Sequence, residues 1–271
     1  MSRKFAVVTT FHEAGYRTYG RRMIETYMKN WPSEVKLHLY PEKVNPIVPD
    51  HSRITLTDLD TGVPDLKAFK DQWRGVPHAN GDISGIPRLA HRKDSHKPFK
   101  WDAVRFAHKV YSIFHCAANC EADVLIWMDA DMVCHSPITV EKINSLIPQD
   151  MDLCFLGRDN KFSECGLYSL NLRSEMTKNF LREFQRMYDK AEGGIFLLDE
   201  WHDSYVFDEV RKKFPYLKQL NWSKGLIKGE GHPLINCEWG AYLDHLKGER
   251  KDTGKSLKKD LRVLRKESYW Q

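Results

Sequence analysis

The sequence predicts a single α/β domain in which a mixed central sheet is flanked by helices. Three observations predict it. Apolar, β-branched runs alternate with segments of helical periodicity through the first half of the chain, the pattern of strand–helix–strand units. Later runs follow one another more closely, so the C-terminal half reads as more mixed. The 271 residues, 41% of them hydrophobic, suffice for one large core, and no repeat or low-complexity linker divides them. Disordered and fibrous classes are excluded on the same grounds.

The elements follow in order. Residues 5–11 (FAVVTTF) form a buried-strand run that stops at the polar His12-Glu13-Ala14-Gly15. Tyr16, Tyr19, Met23, Ile24, Tyr27, Met28 and Trp31 then recur at spacings of three and four, one amphipathic helix ended by Pro32. Val35, Leu37 and Leu39 alternate as a second strand, and residues 54–56 make a weaker third. From 60 to 98 the pattern dissolves into Gly, Pro, His and charge, which reads as a long functional or family-specific loop. Helical spacing returns over 100–118, and residues 123–128 (DVLIWM) make the most apolar strand. Further strands are expected at 153–156 and 166–172, and helices at Val140–Leu146, 174–191 and 203–214.

No apolar run approaches the roughly 18 residues that a membrane helix needs. The first eight residues lack the apolar length and cleavage site of a secretory signal, so the expected location is cytoplasmic. Six irregularly spaced cysteines without a CxxC pair read as reduced, buried thiols, including Cys116 and Cys120 beside His115. The net charge of +5 sits in residues 247–271, which hold nine basic and four acidic residues, while the rest of the chain is formally neutral. A tail of this kind reads either as a solvated helix end or as a surface for phosphate-rich partners.

The chemistry centres on Asp129-Ala130-Asp131, which follows the most apolar strand directly. Open α/β sheets bind their ligands at the C-terminal ends of strands. Two carboxylates at i and i+2 there can turn to one hard divalent cation, with Mn²⁺ or Mg²⁺ as the expected ion. An Asp pair beside so apolar a strand is costly without a counter-charge.

Trp127-Met128-Asp129-Ala130-Asp131-Met132 resembles the DxD motif of nucleotide-sugar-dependent glycosyltransferases of the GT-A type. The opening Val7-Val8-Thr9-Thr10-Phe11 with its helix is similar to that fold's nucleotide-binding start. His245-Leu246-Lys247-Gly248-Glu249-Arg250-Lys251 resembles the C-terminal HxxGxxK segment of glycogenin-like galactosyl- and glucosyltransferases, with Asp252-Thr253 where that family has Pro-Trp.

The resemblance implies a GT-A-like single domain over 1–271 with a Rossmann-like mixed sheet, divided into a nucleotide-sugar-binding half (1–133), an acceptor half (134–246) and a basic tail (247–271). It implies a hexosyltransferase that uses a nucleoside diphosphate-sugar, UDP first, and a hydroxyl acceptor. Asp129, Asp131 and His245 would hold the metal. Thr9, Thr10, Phe11, Ala130 and Gly248 would line the donor site, with Lys251 on the diphosphate and Lys100 and Arg105 on phosphates or sugar hydroxyls. Glu164-Cys165-Gly166 and residues 198–204 fall in the acceptor and catalytic interval, where Asp203, then Glu200 and Asp199, are the candidate carboxylates. Trp201, Trp222, Trp239, Tyr205 and Tyr242 could stack on a sugar, although most are expected in the core.

The acceptor stays open among carbohydrate, lipid-linked and protein molecules. Nucleic acid is not expected, and the tail leaves room for peripheral membrane contact. Two other readings share the motif. Asp129-Ala130-Asp131-Met132-Val133 also fits DxDx[TV] of haloacid-dehalogenase phosphohydrolases, with Asp129 as nucleophile. A non-catalytic protein could instead bind its partner through the basic tail, in a salt-sensitive way.

Overall fold

The computed structural model describes residues 3–227 and 231–271. Its first strand, β1 (Phe5–His12), is joined by helix α1 (Arg21–Asn30) to β2 (Lys36–Glu42), and β3 (Ile54–Leu56) pairs beside β2. Helices α2 (Pro64–Trp73) and α3 (Ala103–Asn119) lead into β4 (Val124–Met128) and the short β5 (Met132–Cys134). Helix α4 (Val140–Leu146), the hairpin of β6 (Leu153–Arg158) and β7 (Lys161–Asn171), helices α5 (Glu175–Asp189) and α6 (Asp203–Lys212), β8 (Gln219–Asn221) and β9 (Leu243–His245) complete the chain.

Seven strands form one mixed sheet in the order β3-β2-β1-β4-β7-β6-β8. The first four are parallel, with Val7 opposite both Leu37 and Ile126, as the strand–helix–strand pattern requires. Strand β7 then runs antiparallel to β4 and β6. Alternation along the strands splits the core into two layers. Ala6, Val8, Leu125 and Trp127 face Phe69, Val110, Phe114, Phe184 and Phe207. Val7, Ile126 and Met128 face Met23, Tyr27, Ile143, Trp239 and Trp270.

Two expectations are corrected. Residues 60–98 are not a long loop: α2 lies there with shorter turns at Leu59–Gly62, Pro77–Asn80 and Pro87–Ala90, and Leu66, Phe69 and Trp73 pack into the core. Pro64 opens α2 at its first turn, a position where the missing N–H costs nothing. The Gly and Pro residues mark the ends of these pieces. At Gly81, φ is +91° and a Cβ would stand 2.7 Å from the Pro98 carbonyl oxygen, so this turn needs glycine. The helix after β1 is also not uniform, because a π-helical stretch at Tyr16–Gly20 precedes α1.

Residues 247–271 lie against the body. Trp270 is buried and its Nε1 donates to the Gly240 carbonyl at 2.8 Å, while Arg265 Nε donates to the Ile235 carbonyl at 3.0 Å. All six cysteines are free thiols. Among the described residues no helix is long and apolar enough to cross a membrane.

Candidate functional site

A cleft of about 740 Å³ opens at the C-terminal ends of β1 and β4. Beyond Met128 the chain turns sharply, with the Asp129 amide donating to the Gly166 carbonyl at 2.8 Å and the Met132 amide to the Asp129 carbonyl at 3.1 Å. Strand β5 follows at once and pairs antiparallel with β9, placing Met132 opposite His245. This two-stranded pairing brings together residues more than a hundred positions apart. His245 Nε2 lies 3.0 Å from Asp131 Oδ1 and 3.5 Å from Asp129 Oδ2, and one ligand atom from each residue falls within 4.8 Å of the others.

These three residues fit a divalent cation. Two carboxylates and an imidazole are a suitable donor set. The Oδ1 atom of Asp131 is buried and accepts no hydrogen bond, although His245 Nε2 is close, so the two atoms are near neighbours without the alignment of a donor–acceptor pair. Lys251 Nζ stands 2.9 Å from Asp131 Oδ2 and its ammonium lies over the Tyr19 ring. Burial alone would raise the Asp131 carboxyl, but His245 and then Lys251 hold it well below the usual carboxylate range. For His245 burial alone would lower the imidazole, but Asp131 and Glu164 outweigh it and raise it to about 9.

A lysine that sequence reasoning missed lies beside this group. Lys109 of α3 places Nζ 3.0 Å from Asp129 Oδ1 and 2.7 Å from Asp203 Oδ2, donates to the Cys165 carbonyl, and sits 4.8 Å from the Trp127 ring centroid. Burial lowers its affinity for the proton, yet Asp129 and Asp203 together raise it above the ordinary lysine value. Asp203 is the first residue of α6, a helix capped by the His202 ring, and it is buried at the cleft floor. The signal for Lys109 was its place one helical turn after Arg105, on the same face.

Of the expected site residues, Thr10, Phe11, Arg105, Asp129, Ala130, Asp131, Asp203, His245, Gly248 and Lys251 line this cleft. Thr9 is fully buried within β1 and does not line the cleft. Lys100 and Glu200 satisfy each other at 2.7 Å in a cluster with Asp94, Arg92 and His202, of which only His202 lines the cleft. Asp199 is exposed and pairs with Arg88 at 3.3 Å. Trp201 and Trp239 are core residues. The aromatic lining comes instead from Phe99, Phe106 and Phe162, whose ring centroids lie 6.4, 5.9 and 4.5 Å from that of His202.

No protein-family model and no curated protein sequence matches the chain. Among solved structures, the chain is similar to the glycosyltransferase GlyE of Streptococcus pneumoniae TIGR4, with TM-score 0.43 and 11% identity over 81% of this chain and 45% of that one. It is also similar to the bifunctional glycosyltransferase WbbM, with TM-score 0.47 and 12% identity over 82% of this chain and 39% of that one. The chain thus spans less than half the length of either.

Proposed function

We propose that this chain is a metal-dependent glycosyltransferase that moves a hexosyl group from a nucleoside diphosphate-sugar, with UDP as the first choice, to an acceptor hydroxyl. The observation that carries it is the convergence of Asp129, Asp131, His245 and Lys251 from separate parts of the chain into one cleft at the C-terminal ends of the strands.

Asp129, Asp131 and His245 would hold Mn²⁺ or Mg²⁺, which supplies positive charge where the departing diphosphate becomes more negative. Lys251 adds a second cation on that side and assists the leaving group. Thr10, Phe11 and Tyr19, at the end of β1 and in the π-helical turn, form the nucleoside end. Residues 247–271 then belong to the donor site, because Gly248 and Lys251 lie within them.

Asp203 is the acceptor-side carboxylate, either accepting the proton of the incoming hydroxyl or stabilising a sugar cation. Lys109 holds it in place beside Asp129. The wall of Phe99, Phe106 and Phe162 at this end offers apolar ring faces to an acceptor sugar. Of these, Phe99 is 44% exposed.

Calorimetric titration of the purified chain with UDP, GDP and CDP, with and without Mn²⁺, tests the reading. One nucleotide is expected to bind only with metal, and Asp131→Asn is expected to abolish that binding in a protein that still folds. Absence of nucleotide binding under every metal condition would refute the transferase and return attention to phosphoryl substrates.

A further inference from the structure

We infer that Glu164 is the positioning residue of the metal centre and that Gly166 makes the room it needs; this rests on the metal-site reading above. Glu164, Cys165 and Gly166 line the same cleft as Asp203, and Glu164 backs the His245 ring.

Glu164 lies on β7, only 3% exposed, where an ionised carboxylate is costly unless its oxygens are engaged. Its Oε1 is 2.7 Å from His245 Nδ1 and its Oε2 is 2.9 Å from Lys247 Nζ. His232 closes the other side: its Nδ1 faces Glu164 Oε2 at 3.9 Å, and its Nε2 donates to the His245 carbonyl at 2.9 Å. Both the ring and the backbone of His245 are therefore held from behind.

An imidazole has two nitrogens, and the one that keeps its proton is set by the hydrogen bond it makes. With Nδ1–H committed to Glu164, Nε2 is the nitrogen that gives up its proton when a cation takes its place between Asp129 and Asp131. If Glu164 were lost, the ring could turn its N–H toward Asp131 Oδ1, already 3.0 Å away, and close the site with a hydrogen bond. Gly166 is the complement of this arrangement. A Cβ there would stand 2.4 Å from His245 Cε1 and 2.6 Å from Nδ1, so the ring rests directly on the β7 backbone. The same short stretch also takes the Asp129 amide on the Gly166 carbonyl and Lys109 on the Cys165 carbonyl. Three consecutive residues of β7 thus brace both strand-borne ligand groups.

The test is Mn²⁺ affinity of the full chain, read from the electron paramagnetic resonance signal of free Mn²⁺ with no nucleotide and no turnover. Glu164→Ala and Gly166→Ala are each expected to weaken Mn²⁺ binding roughly 10- to 100-fold, the usual effect of removing a partner behind a ligating histidine. Glu164→Gln, which keeps an oxygen acceptor for Nδ1–H, is expected to recover part of the loss, and Glu164→Met, which keeps the volume without an acceptor, is not; a residue serving only to fill space would be rescued by both. If Glu164→Ala does not fold, Glu164→Gln and Gly166→Ala decide alone. Wild-type binding with unchanged affinity in the folded variants overturns this inference and leaves the metal site standing. No Mn²⁺ binding by the wild type overturns both.

Discussion

Lys109 shows how the candidate site is held together one residue at a time. Its ammonium lies between Asp129 and Asp203, two carboxylates at the base of one cleft. Lys109→Met removes the charge and keeps much of the volume, leaving both carboxylates without their shared partner, and breaking buried pairs in this way costs about 3–5 kcal/mol. Urea denaturation at pH 7 should show that loss; a change below about 1 kcal/mol would mean that solvent already screens the pair. His245 gives a prediction of opposite character. Burial alone would lower its imidazole, but Asp131 and Glu164 raise it to about 9, above the ordinary value of 6.5. A value raised in the folded state contributes stability that is fully present below the unfolded value and is lost as pH rises through the folded one. Unfolding free energy of the metal-free protein should therefore fall between pH 6.5 and about 9, and His245→Gln should flatten that slope. Parallel curves for the two proteins would remove His245 as the cause.

Helix α3 connects this chemistry to the fold, since it presents Arg105 and Lys109 to the cleft one turn apart while Ala107, Val110 and Phe114 enter the core. Its first turn is capped by Asp102, whose Oδ1 accepts the Arg105 amide at 3.0 Å. Asp102→Ala should cost about 1 kcal/mol, a fall in Tm of roughly 2–4 °C for a chain of this size; an unchanged Tm would show that packing alone fixes the helix start. Strands β1 and β4 were legible in the sequence as continuous apolar runs, and helices α3 and α5 because each is long enough for its period to repeat. Strands β5 and β9 have three residues each, too few to carry a period, so the pairing of Met132 with His245 had no local signal. His245 was found through its resemblance to a motif and not through its strand. Residues 60–98 misled because Gly75, Pro77 and Gly81 outweighed the spacing of Leu66, Phe69 and Trp73. Lys100 and Glu200 had the right residue types but meet each other instead of the cleft, a choice that only tertiary contacts reveal.

At the scale of the molecule, the last 25 residues decide whether charge or packing defines the C-terminus. Read by composition, residues 247–271 are a cationic segment. In the fold four of the nine cations are engaged by carboxylates or carbonyls of the described residues: Lys247 with Glu164, Lys251 with Asp131, Arg250 with Asp260, and Arg265 with the carbonyls of Ile235 and Cys237. Asp244, the neighbour of His245 on β9, accepts from Ser256 Oγ at 2.6 Å and from Tyr269 Oη at 2.8 Å. Tyr269 stacks on His135 with ring centroids 4.0 Å apart, and Trp270, 4% exposed, fills the layer beneath. The segment thus clamps the strand that carries the third candidate ligand. Trp270→Ala should destabilise the protein by about 3–5 kcal/mol, as loss of a buried tryptophan does, and it should weaken Mn²⁺ binding because the segment that backs β9 loses its buried anchor. Denaturant midpoints and Mn²⁺ titration of the same variant separate the two effects. A midpoint unchanged within about 1 kcal/mol would make the segment a detachable arm, and its charge would again be free to act on a partner. A large loss of stability together with weakened metal binding would mean that the basic residues are where they are because the site needs Lys251 and β9 needs Trp270.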